Sequence, residues 1–167
     1  MEPIPNKYNH HVNLYNRGVA EWNRGNREAA LILFRRAIDI KKGFKEAWQA
    51  LYLGQIKVGD LEGAIQTCRE AVIEKPKHQW LWFYLGDAYT ANKEYDKAIL
   101  TFERSLLLWK AYKKPMFGLM RVYRHVGNHK KSKQYRDLMT KPRKEILNLR
   151  KRLQNEWKQN KKRNELN

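Results

Sequence analysis

The sequence predicts an all-α solenoid of four 34-residue helix-turn-helix repeats, closed by a C-terminal capping helix. Three observations carry that reading. Turn-like residue pairs recur at one fixed step, apolar residues recur at helical spacing between them, and helix breakers are few. Only 9 Gly and 5 Pro occur among 167 residues, while 42% of residues are hydrophobic and 12% aromatic, enough for a packed interior.

Four pairs set the period: Gly25-Asn26, Gly59-Asp60, Lys93-Glu94 and Gly127-Asn128, each 34 residues beyond the last. Other columns keep the same step. Downstream of the pairs come Ala30, Ala64, Ala98 and Ser132, then Ala37, Ala71, Ser105 and Met139. Upstream stand Leu14, Trp48, Trp82 and Met116, then Leu51, Leu85 and Leu119. In the third repeat Trp82, Leu85 and Tyr89 form the apolar stripe of a first helix, and Tyr95, Ala98, Ile99, Phe102 and Leu106 that of a second. Small Gly86 and Ala98 let the two backbones approach, with Trp82 filling the space beside them. Helices are expected near 11–23, 27–40, 45–57, 61–74, 79–91, 95–108, 113–125 and 129–140. The repeats then span 11–44, 45–78, 79–112 and 113–146, after a lead-in at 1–10 that frays around Pro3 and Pro5.

These columns identify a repeat type. Trp82-x2-Leu85-Gly86-x2-Tyr89, followed by Ala98-x3-Phe102, resembles the tetratricopeptide signature closely. The second repeat keeps Trp48, Leu51, Ala64 and Pro76, and the first keeps Gly18, Ala30, Phe34 and Ala37. The fourth departs most, holding Leu119 and Tyr123 but Arg136 where Phe34 and Phe102 stand. The resemblance covers about residues 11–146 and implies a right-handed α-solenoid. It also implies that first helices line a concave surface, which the family generally uses to bind peptides or protein segments.

The pattern continues past the fourth repeat. Leu153 and Trp157 stand 34 residues beyond Leu119 and Tyr123, so residues 143–162 read as a ninth helix after Pro142. Ile146, Leu149, Leu153 and Trp157 would pack on the last repeat, leaving a polar outer face of the kind a solenoid end requires. A frayed tail is expected at 163–167.

Helical phase places Trp80, Phe83, Tyr84 and Asp87 on the groove face of the third repeat. Equivalent positions are Val12, Tyr15, Asn16 and Val19, then Glu46, Gln49, Ala50 and Leu53, then Lys114, Phe117, Gly118 and Arg121. Trp22, Ile56, Thr90 and Arg124 lie further along the same helices. The candidate peptide-binding residues are therefore Tyr15, Val19, Trp22, Leu53, Trp80, Phe83, Tyr84, Phe117, Arg121 and Arg124. The run Trp80 to Leu85 is apolar on every side, and a helix apolar all round is normally buried. Either these aromatics pack on adjacent helices, or they floor a ligand groove with a basic end. One known variant is excluded. The carboxylate clamp for chaperone tails needs Lys, Asn and Arg at set groove positions. In one register Tyr15, Val19, Ala50, Trp80 and Tyr84 fall there, and in the next Gln49, Leu53, Tyr84, Lys114 and Gly118.

The net charge of +18 is unevenly spread. Residues 1–44 carry +4, residues 45–112 are neutral, and residues 113–140 and 141–167 carry +7 each. Lys130, Lys131, Lys133, Lys151, Arg152 and Lys158 form a candidate basic patch. Such a face could neutralise nucleic-acid phosphates, solubilise the cap, or meet an acidic protein partner. No nucleic-acid motif accompanies the charge, which favours the acidic protein. Self-association through the groove aromatics is a third reading. Enzymatic signatures are lacking: no phosphate-binding Gly loop, no nucleophile motif, and no cofactor or metal expected. His10, His11, His78, His125 and His129 form no ligand set with Cys68, which sits in the column of Phe34 and Phe102 and reads as a small buried residue. No apolar run reaches the length of a membrane span, and a lone cysteine constrains compartment weakly, so a cytoplasmic location is the default.

Overall fold

A computed structural model describes residues 9–108 and 113–165, leaving aside the side chains of Arg143 and residues 160–165. The lead-in at 1–8, positions 109–112 of the third repeat and residues 166–167 lie outside the described residues. The described residues form helices α1 (His10–Asn23), α2 (Arg27–Ile40), α3 (Lys45–Val58), α4 (Leu61–Glu74), α5 (Gln79–Ala91), α6 (Tyr95–Leu108), α7 (Lys113–His125), α8 (His129–Leu138) and α9 (Arg143–Glu165). No strand occurs among them. The chain divides into two units, Met1–Pro76 and Lys77–Asn167. Within each unit, consecutive helices pack in pairs.

The repeated turn pairs have a common backbone reason. Gly25, Gly59 and Gly127 hold φ of +90°, +82° and +75°, and Lys93 occupies the same column at +61°. Each ends a helix in a Schellman turn, where a left-handed residue lets the chain reverse and satisfy terminal carbonyls. The amides of Asn26, Asp60, Glu94 and Asn128 donate to the carbonyls of Glu21, Gln55, Tyr89 and Tyr123 at 2.8–3.0 Å. The second member of the pair then starts the next helix. Asp60 accepts from the Gly63 amide at 2.9 Å and Asn128 from the Lys131 amide at 3.0 Å, both N-cap bonds.

In the first unit, Leu14, Ala30, Phe34, Ala37, Trp48, Leu51 and Ala64 are all buried, as their columns require. Gly18 is small for a reason: a Cβ there would fall 2.7 Å from the Phe34 ring. The Trp48 indole is buried and donates to the Lys42 carbonyl at 2.7 Å, so its polar edge is satisfied. Cys68 is buried as a free thiol.

The second unit builds its core from Ala98, Phe102, Leu106, Met116, Leu119, Val122, Tyr123 and Tyr135, with Ile146, Leu149 and Leu153 of α9. Phe102 is wholly buried between first helices that carry glycine where it touches them, Gly86 on α5 and Gly118 on α7. That ring occupies the space the sequence pattern reserves for Trp82. Trp82 is only half-buried, and Leu81 beside it is buried. Gly118, expected on the groove face, is also buried, because a Cβ would meet Phe102.

Two helix ends differ from expectation. α8 stops at Leu138 rather than 140. The Thr140 hydroxyl donates to the Asp137 carbonyl at 2.7 Å, and Pro142 disfavours helix at the residue before it. α9 runs to Glu165, past the expected end at 162. It packs along α6, where the Arg150 guanidinium donates to the Leu107 carbonyl. Ile146, Leu149 and Leu153 are buried as expected, but Trp157 remains 41% exposed. Its ring lies against the Arg104 guanidinium, 4.7 Å from the centroid, rather than in the apolar interior.

Candidate functional site

Residues one repeat apart on first helices meet in space. In the second unit, α5 and α7 bring three such pairs together, each 34 residues apart in sequence. The Lys114 ammonium sits 4.3 Å from the Trp80 ring centroid, a cation–π contact. Phe117 and Phe83 line one pocket of about 360 Å³ with Lys113, Lys114 and Met139. The Arg121 guanidinium donates to the Asp87 carboxylate in an ion pair.

The aromatics of α5 pack first on one another. Trp80, Phe83 and Tyr84 have ring centroids 5.8–6.2 Å apart, and Phe83 also lies 5.6 Å from Phe102. All three are half-buried, whereas Phe117 beside them is 51% exposed. So Phe117 supplies the open apolar surface, and the α5 cluster supplies its support. Arg121 is not a free cation, since Asp87 neutralises it. Arg124 is exposed in the last turn of α7.

In the first unit, Val19, Trp22 and Leu53 come together with Phe34, Ala50, Gly54 and Lys57 around a cradle of about 200 Å³. Gly54 floors it because a Cβ there would fall 2.6 Å from Leu31 and 3.1 Å from Trp22. Two cations address the Trp22 ring: the Arg27 guanidinium at 4.2 Å and the Lys57 ammonium at 5.8 Å from its centroid. Tyr15 stands apart from this cradle. Its ring packs against Phe34 and Phe44 at 5.8 and 5.4 Å, a contact internal to the unit.

The basic patch is distributed over two helices. Lys130, Lys131 and Lys133 are exposed on α8, and Lys131 donates to the Tyr123 hydroxyl at 3.4 Å. Lys151, Arg152 and Lys158 are exposed on α9. Sequence reasoning missed what two of them border. Lys151 and Lys158 line a cleft of about 410 Å³ between α6 and α9, with Arg104, Leu107, Leu108, Leu147, Arg150, Gln154 and Trp157. The α9 side of it is a stripe, Leu147, Lys151, Gln154 and Lys158, readable at helical spacing. Its α6 side is not readable, because pairing of the two helices is a tertiary matter.

Glu103 on α6 is half-buried. Burial holds the Glu103 pKa above the ordinary carboxylate value, and Glu156 on α9 pushes it the same way against Lys131. Burial, then Glu103, also raises the Tyr135 phenol. Tyr135 stacks on Tyr123 at 5.7 Å between centroids. Among the described residues, no group of three or more His, Cys, Asp or Glu is placed to hold a metal ion. None of their helices is long and apolar enough to cross a membrane.

No curated protein sequence matches this one. Solved structures do. MamA from Desulfovibrio magneticus RS-1 superposes with a TM-score of 0.66 at 19% identity, covering 78% of this chain and 74% of that one. TTC0263, a thermophilic TPR protein of Thermus thermophilus, gives 0.61 at 22% identity, covering 75% and 70%. A tetratricopeptide repeat protein from Parabacteroides merdae ATCC 43184 gives 0.70 at 20% identity, covering 81% and 53%. These likenesses are of fold. Family sequence models described as tetratricopeptide repeat match residues 13–44 and 55–108, together just over half of the chain. The repeated Schellman turns, the glycine contacts with Phe34 and Phe102 and those matches agree: the chain belongs to the tetratricopeptide repeat family.

Proposed function

We propose that this chain is a non-enzymatic protein-interaction scaffold that holds a partner segment on the first-helix faces of its repeats. Each unit offers its own seat for an apolar side chain of a partner: in the first unit the cradle of Val19, Trp22 and Leu53, and in the second the pocket of Phe117 and Phe83, beside Lys113 and Lys114. The carrying observation is Phe117, a large aromatic left half-open over an aromatic support that already has its own packing. An exposed apolar patch with a cationic margin is the usual mark of an interaction site. Lys113 and Lys114 favour acidic residues flanking the seated side chain. The four-repeat division at 11–44, 45–78, 79–112 and 113–146, with α9 as the cap, belongs to this reading.

The test is site-specific photocrosslinking in native lysate treated with nuclease. A photoreactive phenylalanine analogue at 53 or 117 should yield discrete protein adducts. The same residue at Ile73 or Leu100, both exposed on second helices, should not. Equal adducts from 73 and 100 would reject the first-helix surface. Adducts only with this chain itself would replace the reading by self-assembly, and adducts seen only in a parallel lysate without nuclease would replace it by polyanion binding through the basic face.

A further inference from the structure

The α6–α9 cleft combines two properties. Its floor is apolar, with Leu107 and Leu147, and its margin is cationic. Arg104 comes from α6, and Lys151 and Lys158 come from α9. No carboxylate lines it among the described residues. Arg104 is held in place by aromatic rings, 5.7 Å from the Trp82 centroid and 4.7 Å from that of Trp157. Cation–π contact orients a guanidinium without consuming its N–H donors. The Arg150 bond to the Leu107 carbonyl ties the two walls together.

The chemistry selects the occupant. Seven residues separate Lys151 from Lys158, about 10 Å along a helix. One lipid or fatty-acid headgroup would serve a single end of such a row. A phosphodiester backbone would satisfy the cations but offers nothing to the leucine floor. A second copy of this chain carries a net charge of +18 and would be repelled. We propose that the α6–α9 cleft docks an acidic amphipathic segment of a partner protein, its apolar side chains on Leu107, Leu147 and Trp157 and its carboxylates on Arg104, Lys151 and Lys158. The site is distinct from the first-helix surfaces and does not depend on them.

The experiment uses the full chain and a labelled helical peptide of about 18 residues, with leucines at i, i+3, i+4 and i+7 and flanking glutamates. Comparators are a scramble of equal composition and a single-stranded oligonucleotide of equal charge, followed by fluorescence anisotropy. The patterned peptide should bind saturably and more tightly than the scramble. Leu147→Glu, at a residue 38% exposed and so tolerant of substitution, should weaken it. The pair Lys151→Glu and Lys158→Glu should do the same, each by about tenfold or more, the loss expected at interface hot spots. In a Phe117→Ala background, which removes any contribution of the α5–α7 pocket, Leu147→Glu should still weaken the peptide as it does in the wild type. Circular dichroism would confirm that each variant keeps its helices. Equal binding of peptide and scramble, tighter binding of the oligonucleotide, loss confined to Phe117→Ala, or no saturable binding would each overturn the proposal. The last variant separates this cleft from the α5–α7 pocket.

Discussion

The ring of Phe102 lies against the bare Cα of Gly118, where an added Cβ would fall 2.6 Å from a ring carbon. The same ring stands 2.8 Å from the Cβ position of Gly86. It therefore has a first helix on each of two sides, and neither side can yield by a side-chain movement.

Gly118→Ala is the consequent test of packing against propensity. Alanine favours the helix by about 1 kcal/mol, whereas overpacking a tight core costs about 1–3 kcal/mol. The clash should win, with a net loss of up to about 2 kcal/mol by chemical denaturation. In a Phe102→Leu background the sign should reverse, because the ring is gone. Stabilisation by Gly118→Ala alone would show that Phe102 has room to move. Phe102→Ala should cost about 3–5 kcal/mol, and Trp82→Ala less, since only Phe102 is wholly buried.

Lys93 is the one member of its column that is not glycine, and it holds φ of +61°. A left-handed L-residue costs roughly 1–2 kcal/mol that glycine avoids, partly offset by glycine's greater freedom in the unfolded chain. Lys93→Gly should stabilise by up to about 1 kcal/mol. Thermal unfolding measured beside Gly59→Lys, which should destabilise, checks both directions at once.

Arg121 and Arg124 should behave differently despite their proximity. Arg121 pairs with Asp87 at intermediate exposure, where such a pair is worth about 0–1 kcal/mol. Arg121→Ala should therefore cost up to about 1 kcal/mol, and Arg124→Ala within about 0.5. Asp87→Asn should release the Arg121 charge. If the first-helix face meets an acidic segment, that change should tighten binding while slightly lowering the melting temperature. Weaker binding by Asp87→Asn would mean that the pair acts as a structural brace instead.

Glu103 makes stability depend on pH in a stated direction. Its folded-state pKa is raised, so the fold favours the protonated acid. The favourable contribution is complete below the unfolded value, near 4.5, and is lost as pH rises through the folded value. Glu156, Lys131, Tyr123 and Tyr135 are the titratable neighbours involved. Between pH 4.5 and neutrality the wild type should lose stability relative to Glu103→Gln. Denaturation curves that run parallel across that window would show that the carboxyl is solvated.

The period, the helix positions and the turns were legible in the sequence because they depend on local chemistry repeated in register. Gly59 ends its helix because it takes the left-handed conformation, and Ala98 is small because its position is wholly buried. Even the contact of Trp80 with Lys114, and the pocket that Phe83 shares with Phe117, follow from that step, since members of one column lie beside each other. What the columns could not decide was how deeply each bulky residue is buried. Trp82 and Phe102 both fit the pattern, but Phe102 is wholly buried against Gly86 and Gly118, while Trp82 is half-buried with the Arg104 guanidinium 5.7 Å from its ring centroid. Likewise Trp157 matched the column of Tyr123 but stayed half-open, because α9 packs along α6 and Arg104 meets the ring there. Sequence spacing determined which residues share a helix face; only the tertiary structure decided which helix that face would meet, because long-range packing is set by the volumes that remain after every helix is placed.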